Sequence, residues 1–370
     1  NATSEKTDVT LNLLSDDNPT LNSVEYENTS FAEHQTIKIT GTISEAHSKD
    51  ITIPISFSGT TTYGIDFSTE FSSKNEVSIV AGINQSYGSS LSQLYYPLDV
   101  AADSSGNIYV CDPNNSRIMK YVPGSLEGTI LHNGYFTRIK IDSSDNIFLL
   151  NPNSHSIIKL IYSNDSYTES VVAGGNGIGN ELNQLSSPQG FDIDKDANIY
   201  IADYQNHRVV KWAPGASQGS IVAGGNGEGT ALNQVSRPRA VAVNSLGDVY
   251  VSDSDYSNQL MKWESGASEG VKVLYAYSLR DIEINSSDEI FLSFKYDNVV
   301  RKYSSSYQSL GNVFGGSRGS SLNQLRYPEG IFVDDFGDVY VTDTDNHRVL
   351  KVKLNPEIFI ESGSTTGVLS

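Results

Sequence analysis

Two Asn-His-Arg triplets, centred on His207 and His347, and four Tyr-x-x-Asp motifs ending at Asp112, Asp203, Asp253 and Asp343 are where residue types and spacing could first do chemistry. Imidazoles bind metals or move protons. Residues at equivalent places of a repeat, however, point away from a common centre, whereas a single metal needs convergent ligands, so both histidines are expected to be structural. His34, His47, His132 and His155 show no matching spacing. Each motif aspartate is expected to cap backbone amides or to pair with an arginine of its own repeat, Asp203 with Arg208 and Asp343 with Arg348. Asp253-Ser-Asp255 and Asp343-Thr-Asp345 begin like a calcium loop but lack the following glycine and bidentate glutamate. No nucleophile is paired with a base, so no catalytic residue is assigned.

The elements that must position these residues are strands. Alternating Val, Ile, Tyr and Phe runs are bounded by Asn, Asp, Gly and Ser clusters, which marks an all-β chain. Six repeat units are anchored on the aromatics Tyr109, Phe148, Tyr200, Tyr250, Phe291 and Tyr340, about forty or fifty residues apart. Four units carry an extra Leu-x-Gln-Leu/Val, at Leu91–Leu94, Leu182–Leu185, Leu232–Val235 and Leu322–Leu325, and the second and fifth lack it. Long, short, long, repeated twice, implies a three-unit block doubled, with the short units opposite each other. The two short units also carry Asn151 and Phe294 where the others have aspartate.

VSIVAG at Val77–Gly82 recurs as SVVAGG at Ser170–Gly175 and SIVAGG at Ser220–Gly225, between complete units. The first copy precedes any strand that it could close, and the last unit ends near Val352 without one. Pairing those two ends closes a ring and leaves no open sheet edge. On the innermost strands, period two sends Asp99, Arg138, Lys140, Asp192, Asp281 and Glu283, with Arg239, Arg280 and Glu329 beside them, toward the central channel or its mouth. Their mixed signs predict mutual pairing. The full pattern is Pro, an apolar strand, an Asp/Gly/Asn turn, Ile/Val-Tyr-Val/Ile-x-Asp and Asn-His-Arg-Val-x-Lys. It resembles the NHL-repeat family of β-propellers over residues 77–352.

The flanks read differently. Residues 24–31, 35–42 and 50–58 alternate as sandwich strands, and Glu33, Gly59-Thr60-Thr61 and Gly64-Ile65-Asp66-Phe67 resemble the Calx-beta family of extracellular modules. The continuation that the family places next stands instead at Glu357–Ile360 and Ser362–Val368. The expected fold is thus all-β, a six-bladed propeller inserted in an incomplete Ig-like, Calx-beta-like sandwich. Its parts are an N-terminal strand (1–15), the first sandwich part (16–75), the propeller (76–353) and the second sandwich part (354–370). The resemblance implies calcium ligands at Glu33 and Asp66, with Asp16 and Asp17 nearby, and an extracellular or cell-surface location. Six Asn-x-Ser/Thr sequons, at Asn1, Asn28, Asn84, Asn114, Asn164 and Asn285, are compatible with that location.

The formal charge of −19, with no Lys/Arg cluster, argues against nucleic acid, and no apolar run is long enough to span a membrane. Cys111 is the sole cysteine and cannot form an internal disulfide. The expected role is a non-enzymatic structural or adhesive subunit with the propeller as a binding or display platform. It would assemble head to tail into a filament, because residues 1–14 resemble the closing strand that the sandwich itself lacks. Its partners would then be the same protein or an adjacent module, and a surface ligand or glycan. Two alternatives stand beside this. One is a metal-dependent lyase or hydrolase with a channel active site, implied by NHL-like relatives, and the other is a ligand-binding segment of a large multidomain adhesin.

Overall fold

The structure is a computed structural model that describes residues 76–163, 166–253 and 258–354, together with the backbone of five further strands: Val9–Leu11, Leu21–Tyr26, Lys38–Ile43, Ile55–Phe57 and Ile358–Glu361. The chain divides into two compact units, one of residues 77–352 and one of residues 1–76 with 353–370.

The larger unit is a propeller of six four-stranded antiparallel sheets. The innermost strands, in blade order, are Asp99–Ala102, Arg138–Ile141, Gly190–Ile193, Val241–Val243, Leu279–Ile284 and Ile331–Val333. Each is followed by a strand bearing the anchoring aromatic, then a strand carrying Lys or Arg, then the outermost strand. In the third blade these are Ile199–Asp203, Arg208–Trp212 and Ser220–Gly224. In the sixth blade the outermost place, beside Arg348–Lys353, is taken by Glu76–Gly82, so the ring closes as expected.

Closure is secured by packing as well as by the ladder. Ala81 and Leu94 are fully buried in one cluster with Val100 and Val110 of the first blade and Tyr340 and Val349 of the sixth. Similar clusters fill the other seams, such as Cys111, Ile118, Ile139 and Leu149 between the first and second blades. Each fully buried side chain of this kind stabilises by about 1.5–3 kcal/mol. Gly82 is required at the seam. It adopts a left-handed φ of +80° and lies so close to the carbonyl of His347 that a Cβ would collide with it. Gly174 and Gly224 meet the carbonyls of His155 and His207 in the same way, so the closing strand repeats the geometry of the strands that never left their blades.

In the smaller unit, Leu21–Tyr26, Lys38–Ile43 and Ile358–Glu361 form one antiparallel sheet, with Ile358 opposite Gly41 and Glu361 opposite Lys38. Val9–Leu11, expected to be donated to a neighbour, pairs antiparallel with Ile55–Phe57 of its own chain. Among the described residues no helix is long and apolar enough to cross a membrane.

Candidate functional site

The motif aspartates hold the blade loops. Asp112 accepts the amide of Tyr95 (2.8 Å), the Asn115 side-chain amide (2.8 Å) and Nε of Arg117 (2.8 Å). Arg117 then donates to the carbonyls of Ser89, Ser90 and Gln93, which clamps the Leu-x-Gln-Leu insertion to its blade. Asp203 with Asn206 and Arg208, and Asp343 with Asn346 and Arg348, repeat the arrangement, each ion pair at 2.8 Å and buried, as the sequence led us to expect. In the fourth blade Gln259 replaces the arginine against Asp253. The second and fifth blades, without the insertion, also lack the clamp: Asn151 and Phe294 replace the aspartate, and Ser156 and Val299 pair at the arginine position.

His207 and His347 stand in the left-handed region (φ 51° and 58°), and their Nδ1 atoms accept the amides of Arg237 (3.2 Å) and Tyr96 (3.3 Å) in the next blade. One expectation is corrected here. His155 is their structural equivalent, with φ 51° and Nδ1 accepting the Ser187 amide at 3.1 Å. It follows Phe148 by seven residues, as His207 follows Tyr200 and His347 follows Tyr340, a spacing hidden because its neighbours are serines rather than Asn and Arg. Burial holds the His347 imidazole below its ordinary pKa, which suits an acceptor nitrogen.

The innermost strands bring the six predicted channel residues together on the axis. Asp99 accepts the Ile139 amide (2.8 Å), Asp192 the Val243 amide (2.8 Å) and Asp281 the Ile331 amide (2.9 Å), so the first, third and fifth blades each tie to the next through a carboxylate. Lys140 of the second blade is paired with Glu283 of the fifth, directly across the channel, and lies 3.8 Å from Asp192. Burial, aided by the charge of Asp281, pushes the Asp99 carboxyl up to about 7 against the pull of Arg138 and Lys140. Burial likewise raises Glu283 to about 8, with Lys140 opposing. Burial disfavours the Lys140 ammonium, but the surrounding carboxylates outweigh it and raise its pKa.

Above this layer lies a cavity of about 320 Å³. It is ringed by one residue from the entrance of each innermost strand: Leu98, Thr137, Gln189, Arg239, Arg280 and Glu329. Arg138 forms part of its floor, and Tyr135, Pro152 and Lys295 complete the wall. Only Arg138 belongs both to the channel set and to this mouth. Its guanidinium reaches the carbonyls of Leu98 (3.1 Å) and of Arg280 in the opposite blade (3.2 Å). Glu329 receives Lys295 Nζ at 2.5 Å and faces Arg280 Nε at 3.8 Å. Arg239 lies over the Tyr204 ring, 5.0 Å from its centroid, and donates to its hydroxyl at 3.3 Å. The buried Nε atoms of Arg138 and Arg280 have no hydrogen-bond partner. Lys295 and Pro152 went unseen in the sequence. The signal was the loss of the motif aspartate at Asn151 and Phe294, one residue earlier.

Three segments, residues 94–121, 185–212 and 325–352, match the NHL repeat. Three blades are NHL repeats. They are the first, third and sixth, the blades with the complete Asp-Asn-Arg clamp, and the NHL pattern is thus strongest where the clamp is whole. The human NHL repeat-containing protein 3 is 39% identical over 64 residues, which is 15% of this chain and 18% of that protein's length. A protein of unknown function from Bacteroides thetaiotaomicron shares the fold at a TM-score of 0.61 and 11% identity, over 93% of this chain and 90% of that one. A gluconolactonase from Xanthomonas campestris does so at 0.55 and 12%, over 71% of this chain and 88% of its own. These two likenesses establish a common propeller fold. Glu33, Asp66, Asp16 and Asp17, the expected calcium ligands, lie outside the described residues. Among the described residues no three or more His, Cys, Asp or Glu are grouped to hold a metal.

Proposed function

We propose that the propeller is a binding platform whose ligand enters the axial mouth, and that it holds this ligand without converting it. The observation that carries the reading is the mouth itself: a preformed cavity of about 320 Å³, lined by at least one residue from every blade and largely by polar side chains. Preformed concave sites with a few convergent polar groups are where small molecules bind. The channel beneath supplies rigidity. Its carboxylates are engaged with backbone amides of adjacent blades, and Lys140 with Glu283, so they hold the ring in register under the site.

The competing reading, a metal-dependent propeller enzyme, draws on the shared fold with a gluconolactonase. The donor set here opposes it. A divalent cation in the mouth would meet Arg138, Arg239, Arg280 and Lys295 with only Glu329 to attract it, and hard cations need several oxygen ligands.

A panel of saccharides and small organic acids, screened by thermal shift and followed by hydrogen exchange, tests the proposal. Binders should slow exchange around Thr137–Arg138 and Arg280 and be recovered chemically intact. Recovery of a hydrolysed or eliminated product would assign the site to catalysis instead.

A further inference from the structure

The mouth carries a sign opposite to that of the molecule around it. The chain has a formal charge of −19, yet the mouth gathers Arg239, Arg280 and Lys295 against the single carboxylate of Glu329, while Arg138 in its floor is balanced by Asp281 and Asp99 beneath. Several lysines of the blades are paired with carboxylates, as Lys351 is with Asp338 at 2.8 Å and Lys302 with Glu289 at 2.7 Å. Arg239 differs. Its contacts are the ring and hydroxyl of Tyr204, and among the described residues no carboxylate lies in ion-pair range. Arg138 is nine-tenths buried and spends its terminal nitrogens on the carbonyls of Leu98 and Arg280, whereas Arg280 faces Glu329 through Nε at 3.8 Å and directs its terminal nitrogens to no partner among the described residues. A guanidinium is built to satisfy two oxygens of one oxyanion at once. Convergent guanidinium groups with unused donors around a cavity are therefore a site for such a group.

The rest of the lining narrows the class. Gln189 and Thr137 offer neutral donors and acceptors, and Glu329, although held by Lys295, retains lone pairs that accept from hydroxyls. An anion without hydroxyls would make no use of these neutral groups and lone pairs, and a neutral polyol would make no use of the guanidinium charge. We infer that the mouth binds a small hydroxylated oxyanion, a sugar acid or a sugar phosphate, with the charged group between Arg239 and Arg280 and the hydroxyls toward Gln189, Thr137 and Glu329. This deepens the binding reading above and rests on it.

The two short blades are what make the site. Because neither carries the Leu-x-Gln-Leu insertion nor the aspartate that clamps it, the turn after the second strand presents Pro152 on one side and Lys295 on the other. Arg138 and Arg280, from the same opposed pair of blades, then meet at the axis.

Isothermal titration of the full chain with gluconate, glucuronate, glucose 6-phosphate, inorganic phosphate and glucose tests this. At least one of the hydroxylated anions should bind at least tenfold more tightly than both glucose and inorganic phosphate, and which of them does so separates sugar acid from sugar phosphate. R280Q and R239Q should each weaken that binding about tenfold or more. E329Q should strengthen it severalfold, because it removes the one negative charge while keeping an acceptor. The opposite sign of this last variant cannot come from misfolding. Equal binding of glucose would overturn the anion inference and leave the platform reading standing, and so would tightest binding of bare phosphate. If none of these five probes binds, or R280Q and R239Q fold and bind as the parent does, the inference also fails. Conversion of a bound probe would sink the platform reading separately.

Discussion

At the scale of single residues, buried charges in this propeller fall into two kinds with different consequences. Arg348 and Asp343 are fully buried and paired, and Arg348 donates further to the carbonyl of Ser321 in the insertion. Breaking such a pair leaves one uncompensated charge and costs roughly 3–5 kcal/mol, whereas removing both charges costs far less. R348M should therefore lower the urea midpoint sharply, and D343N/R348M should recover part of the loss in the same equilibrium melts. Asp99 and Glu283 behave differently because burial holds their folded pKa values, about 7 and about 8, above those of the unfolded chain. Their contribution is complete below the unfolded carboxylate range and is lost as pH rises through those folded values. The urea midpoint should decline as pH rises from the ordinary carboxylate range and level off above about 7 to 8, and E283Q should flatten the upper part of that decline. His347 acts with the opposite sign at lower pH: its depressed pKa means that stability is lost as pH falls below its ordinary range.

At the scale of the element, the loop insertions and the closing strand each rest on a small set of contacts. The Asp-Asn-Arg clamp and the Leu-x-Gln-Leu insertion occur together in the first, third and sixth blades, and both are absent from the second and fifth. The chemistry explains the coupling, since without the insertion a buried arginine would have no carbonyls to donate to. The closing strand depends on Gly82, whose left-handed φ costs a non-glycine residue about 1–2 kcal/mol before any clash. G82A adds a methyl that collides with the His347 carbonyl, so a destabilisation of at least about 2 kcal/mol is expected in denaturant melts. A substitution at exposed Gly124, also left-handed but with open space around it, should cost only the conformational part.

At the scale of the whole molecule, the ring is complete within residues 77–352, because the strand that closes it stands at the start of that span. A fragment of residues 77–352 should unfold cooperatively with a midpoint near that of the full chain. A fragment beginning at residue 83 should not, since its sixth blade would expose an unpaired edge and the apolar seam around Ala81 and Leu94. Calorimetry of the two fragments decides it.

Blade number, strand order and closure were legible in the sequence because each is written locally: an aromatic anchor per unit, period-two alternation within a strand, and a displaced copy of VSIVAG. The pairing of Asp203 with Arg208 and Asp343 with Arg348 was legible for the same reason, five residues being the reach of one strand turn. The axial mouth was legible in part: alternation sent Arg138, Arg239, Arg280 and Glu329 toward it, but not Tyr135, Pro152 or Lys295, nor which of these groups would meet. Arg138 and Arg280 are 142 residues apart, and Lys295 stands in a loop whose only sign was a missing aspartate. Equivalent side chains diverge at the rim of a propeller, where His155, His207 and His347 each serve one seam, but they converge at its axis. Whether a charge met a partner or was left open to a ligand was therefore decided by ring closure, which brings six strand entrances to one point.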